Sequence, residues 1–107
     1  MSEIEVLIER LETDNELKDY KWFIRKHGLK TKCREQEIRT LRQYMMYELR
    51  KKKFLSYPKI GKEFNKDHTT SIHAFKNIEM YLKQNDKYLN DVITKYQNDL
   101  NTINWDL

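Results

Sequence analysis

Glycine, proline and cysteine are scarce: the chain has two Gly, one Pro and one Cys among 107 residues. So few turn formers argue against an all-β domain, which needs turn residues every ~8–12 positions. They also exclude collagen-like and Pro/Gly-rich disordered classes. No G-x-x-x-x-G-K-[ST] or G-x-G-x-x-G run occurs, so no nucleotide-driven motor and no nucleotide partner is expected. A lone cysteine, Cys33, excludes a disulfide framework and a four-cysteine zinc site, and fits a reducing compartment. Apolar runs stay far below the ~18 residues of a membrane span, and the start Met1-Ser2-Glu3-Ile4-Glu5 is acidic where a secretory leader is basic. A cytoplasmic, nucleoid-associated protein of one domain is expected, with no membrane partner.

Charge is plentiful but unevenly placed. The net +4 hides three segments. Residues 1–24 carry 3 basic and 7 acidic side chains, residues 25–66 carry 14 and 4, and residues 67–107 carry 4 and 6. A +10 tract between acidic flanks is the footprint of a polyanion-binding surface. By charge alone it is equally a solvated Lys-rich helix face.

Apolar spacing is helical throughout. Ile4, Leu7, Ile8 and Leu11 define an amphipathic helix from about Ser2 towards Leu17, followed by the apolar patch Tyr20, Trp22, Phe23, Ile24. Gly28 stops it, and Lys30-Thr31-Lys32-Cys33-Arg34 reads as a basic loop. A second helix spans about Glu35 to Lys53, with Ile38, Leu41, Met45 and Leu49 inward and Arg39, Arg42, Gln43, Met46 and Arg50 on another face. Ser56 caps a short third helix with Pro58 in its first turn and Ile60 and Phe64 buried, while Gly61 permits a close helix approach. Asp67 caps a fourth helix with Ile72, Phe75, Ile78 and Leu82 inward and Thr69, His73 and Lys76 outward. A last helix uses Tyr88, Leu89, Val92, Ile93 and Tyr96. The fold class is all-α with about five helices: an N-terminal segment 1–27, a core 28–84, and a C-terminal helix and tail 85–107.

Two helices joined by a very short turn, the second opening with small polar residues, outline a helix-turn-helix. At the head of the second, Asp67 can accept from cytosine N4, and the methyls of Thr69 and Thr70 can meet thymine methyls. Arg42, Gln43 and Arg50 are spaced to follow a phosphate backbone. The blander readings are an N-cap for Asp67, a cap or surface residue for His68, and a macrodipole role for Lys51-Lys52-Lys53. His68 and His73 are five apart and share no helix face, so no metal site is expected. No paired carboxylates and no nucleophile with its base suggest an enzyme or a cofactor.

The run from Leu55 to Ala74, L-S-Y-P-K-I-G-K-E-F-N-K-D-H-T-T-S-I-H-A, resembles the signature of the C-terminal DNA-binding domain of the bacterial replication initiator DnaA. That family shows L-S-L-P-x-I-G-x-x-F-G-G-R-D-H-T-T-V-x-H-A after a helix opening R-Q-x-x-M, matched here by Arg42-Gln43-Tyr44-Met45-Met46. The similarity covers about Thr31 to Leu82. It implies a Trp-repressor-like domain that binds a short duplex box as a monomer, in replication or transcription control. Carried over by position, Asp67, His68, Thr69 and Thr70 meet bases in the major groove, and Arg34 enters a minor groove. Arg42, Gln43, Arg50, Tyr57, Pro58, Lys66 and His73 meet the backbone. The chain departs at the turn, where Asn65-Lys66 replaces G-G-R, and no ATPase domain precedes the module, so a free-standing reader is expected. The alternative is an interaction module in which residues 1–24, with the Tyr20–Ile24 patch, dock a protein partner or a second copy.

Overall fold

The computed structural model describes residues 18–32 and 35–107. Six helices succeed one another there: α1 (Tyr20–Lys26), α2 (Gln36–Lys53), α3 (Tyr57–Glu63), α4 (His68–Lys83), α5 (Lys87–Lys95) and α6 (Gln97–Asn101). The fold is all-α, and among the described residues extended pairing is limited to one bridge between Lys18 and Ile103. The expected helix over Ser2–Leu17 lies outside the described residues, as do Cys33 and Arg34.

Local chemistry sets the boundaries. Asp19, Ser56, Asp67 and Asp86 each accept a hydrogen bond from the backbone N–H three residues on, which satisfies one of the free donors at a helix start. Gly28, at φ +64, turns the chain after α1, a conformation other residues adopt at a cost. Phe54 closes α2 in the left-handed region without that freedom.

α2 is the central strut and packs along α4, α3 and α5. Leu41, Met45, Met46 and Leu49 are buried on it against Phe23 and Ile24 of α1, Leu29, Ile60 and Phe64. Met46, expected on an outer face, is therefore core. On α4 the inward residues are Ser71, Ala74 and Ile78, whereas Ile72 and Phe75 are half-buried and Leu82 is exposed. The inward seam thus lies one residue round from the larger apolar side chains, because close packing against α3 admits only the small Ser71 and Ala74. Tyr20, Phe23 and Ile24 are buried in the same core, which leaves only the half-buried Trp22 of that patch at the surface. Val92, Leu100 and Ile103 complete the core from the C-terminal side, and Leu89 is buried on α5.

Polar clasps hold the ends together. His27 lies between the rings of Phe23 and Tyr96 and meets Asp99 Oδ2 at 2.9 Å, where Lys26 also binds. Burial pushes the Asp99 carboxyl up, but the bonds from Lys26 and His27 outweigh it and leave it below its ordinary value. The Asn104 N–H donates to the Lys18 carbonyl at 2.7 Å. Tyr96 donates its hydroxyl to Glu37 at 2.7 Å, and Lys95 binds the same carboxylate, which ties α5 to the start of α2. The Tyr96 hydroxyl bond and Lys95 lower the Glu37 carboxyl. Burial and that carboxylate push the Tyr96 phenol up to about 12.

Two tests follow from this packing. A Cβ on Gly61 would stand 2.6 Å from the Lys66 carbonyl oxygen and 2.8 Å from that of Asp67, both backbone atoms. Gly61→Ala is expected to destabilise by about 1–3 kcal/mol or more in urea unfolding, despite alanine's better helix propensity. Tyr96, raised from 10.0 to about 12, adds stability that is complete below pH 10 and is lost as pH rises through 12. Tyr96→Phe is expected to flatten the alkaline loss of stability over that window, read from unfolding at about pH 9 and about pH 11.5.

Candidate nucleic-acid interface

The interface builds up from the α3–turn–α4 unit. The Gly61 carbonyl accepts from the N–H groups of Phe64 and Lys66, at 3.1 and 2.8 Å. Between them Asn65 takes the left-handed conformation at φ 57, which asparagine tolerates better than other non-glycine residues. Asn65 thus does the work of the missing glycine, and a two-residue link suffices.

Asp67 heads α4, and its two oxygens differ. Oδ1 accepts from both the N–H and the hydroxyl of Thr70, at 2.9 and 2.8 Å. Oδ2 has no hydrogen-bond partner among the described residues. The Thr70 bonds hold the carboxyl below its ordinary value, so it is ionised near neutral pH. Asp67, His68, Thr69, Thr70 and His73 are all exposed at and just beyond the head of α4. Thr70's hydroxyl is committed to the cap, which leaves its methyl as its free group. Beneath them the buried Ser71 hydroxyl has no hydrogen-bond partner, at the position where the resembling signature carries valine.

The flank beside this head is cationic and aromatic. The Arg50 guanidinium donates to the Leu55 carbonyl at 3.0 Å and lies 4.5 Å above the Tyr57 ring. Tyr57 meets Phe75 edge-on, and Phe75 stacks on Tyr47. That stack orients Arg50 while leaving donors of its five N–H groups for another acceptor. Pro58 is exposed and Tyr57 and Lys66 are half-buried on the same unit. Gln43 stands apart from α3, on the flank of α2 facing Asn77.

Arg42 departs from the sequence expectation. It is only 6% exposed, and its guanidinium donates from Nε to the Leu29 carbonyl and from NH2 to the Thr31 carbonyl, both at 2.7 Å. Those bonds pin the loop that leads to Arg34. Its spacing carried the signal: Arg42 lies four residues from both Ile38 and Met46, on the arc that faces the core. A hydrophobic count passes over it because its guanidinium donates to loop carbonyls instead of meeting solvent. The Tyr47–Phe75–Tyr57 stack joins three helices, so no local pattern in the sequence reveals it.

Arg42→Ala is expected to lose on the order of 3 kcal/mol of folding stability, the scale for buried hydrogen bonds from a charged donor. Arg42→Lys should recover little of it, because one ammonium does not reproduce the fork. Thermal or urea unfolding reads this directly; wild-type stability for the alanine variant would place Arg42 on the surface instead.

Residues 21–78 match the family described as the bacterial DnaA protein helix-turn-helix. The chain is similar to chromosomal replication initiator proteins DnaA of Thermoanaerobacter sp. (strain X514), Thermoanaerobacter pseudethanolicus and Caldanaerobacter subterraneus subsp. tengcongensis. Each is 43% identical over 63 residues, covering 59% of this chain and 14% of the relative. No solved structure matches. The chain therefore spans a small part of those relatives, and the family match covers α3, the turn and α4 as far as Ile78. With more than half of its residues inside the match and the α3–turn–α4 unit in place, the chain belongs to the DnaA C-terminal helix-turn-helix family of DNA-binding domains.

Proposed function

We propose that this protein binds a short duplex DNA box in a sequence-specific manner and acts by binding, not by catalysis. The head of α4 enters the major groove, where Asp67, His68, Thr69 and Thr70 read base edges. Arg50, Tyr57, Pro58, Lys66, Gln43 and His73 meet the backbone and set the register. The loop pinned by Arg42 delivers Arg34 to the neighbouring minor groove, so Arg42 serves as a positioning residue and not as a phosphate ligand. The relatives are replication initiators by name, and control of replication at such boxes is the proposed setting, in the cytoplasm on the nucleoid.

One observation carries this reading. The Asp67 carboxylate caps α4 with one oxygen and holds the other out at an exposed helix head. The caps Asp19 and Asp86 also bond through one oxygen but are half-buried, whereas Asp67 is exposed, so its second oxygen is open to accept from cytosine N4.

Selection of bound duplexes from a random pool, at two salt concentrations, is expected to recover one short asymmetric box; no enrichment would sink the proposal. Asp67→Asn preserves the cap, since asparagine caps as well as aspartate. It is expected to lose about 1–3 kcal/mol on the selected box while sparing non-specific binding. A uniform loss on all duplexes would remove Asp67 from base reading.

A further inference from the structure

We infer that the groove between α2 and the α4–α5 corner holds a phosphodiester of the duplex flanking the box, with Arg39 as its cation. This rests on the DNA-binding reading above. α2 and α4 run antiparallel, Tyr47 meeting Phe75 at one level and Gln43 facing Asn77 at the next. Beside them lies an open groove of about 420 Å³, lined by Arg39, Thr40, Gln43, Asn77 and Tyr81 among others.

Its chemistry is that of an anion site. The walls offer amide, hydroxyl and phenol donors and a single cation. Arg39 is exposed, and among the described residues its guanidinium makes no ion pair and no side-chain hydrogen bond. This sets it apart from Lys26, Lys52, Lys59, Lys83 and Lys95, each of which pairs with a carboxylate. The one carboxylate in the lining, Asp86, accepts the Leu89 N–H as the cap of α5.

The position selects the occupant. Gln43, at a backbone-contacting position by resemblance, lies one helical turn from Arg39 on the same side of α2. Asn77 follows Lys76 on α4, one turn beyond the exposed His73. A duplex seated on the head of α4 carries its backbone along this flank, and an Arg fork suits a phosphate better than a small neutral ligand. The shared chemistry with free phosphate is resolved by duplex length, because only a tethered phosphodiester depends on it.

The test uses the full chain, with binding followed by fluorescence anisotropy on two duplexes. One is the selected box alone, and the other extends it by about one helical turn, roughly 10 base pairs. On the extended duplex, Arg39→Gln is expected to reduce the salt slope of binding by about one unit, so its deficit shrinks about 3.5-fold between about 50 and about 200 mM salt. On the box alone the variant should match wild type. Asp86→Asn, which keeps the cap, should tighten binding to the extended duplex only. Unchanged slopes for Arg39→Gln would overturn the inference, as would an equal loss on both duplexes, which places Arg39 inside the box. Failure of the wild-type protein itself to prefer the selected box would instead overturn the reading beneath it.

Discussion

The close approach of Gly61 to the backbone of Lys66 and Asp67 governs how the molecule presents α4. With no Cβ at that position, α3 lies directly on the turn, and its carbonyl at Gly61 collects the N–H groups that end the helix. The direction in which α4 leaves is therefore set by backbone contact, which is stiffer than side-chain packing. Asn65 completes the arrangement by taking a left-handed conformation in a link too short for the glycines of the related signature. Small residues on the inner face of α4, Ser71 and Ala74, preserve the same intimacy one turn further on.

A second constraint fixes what surrounds that head. α2 threads the core, and the guanidinium of Arg42 fastens the loop after α1 by two carbonyl bonds. The same helix ends beside α3, where Arg50 rests on Tyr57 in a stack that runs through Phe75 to Tyr47. One rigid element thus aligns a loop, a backbone-facing cation and the base of α4. This is how a chain of modest net charge concentrates its cations: acidic groups elsewhere, such as Glu37, Glu48 and Asp99, are bound to lysines on other faces.

Much of this was legible in residue order. The caps Ser56 and Asp67, the stop at Gly28 and the close approach at Gly61 depend on interactions within a few residues, so local pattern reveals them. The boundaries of α2, α3 and α4 follow for the same reason. At Arg42 charge and helical position conflict: the charge suggests an outer face, while the spacing sets it on the buried arc. Nothing local says that the C-terminal segment returns to cover the Tyr20–Ile24 patch.

Helix content, caps, turn chemistry and the charge tract were written in the order of residues, since each rests on neighbours along the chain or on composition. Only the fold decided which charges face outward and that Arg39 and Asn77 share one groove. Those outcomes depend on contacts between residues tens of positions apart. There, burial and competing carbonyls determine whether an arginine holds the protein together or remains available to hold a phosphate.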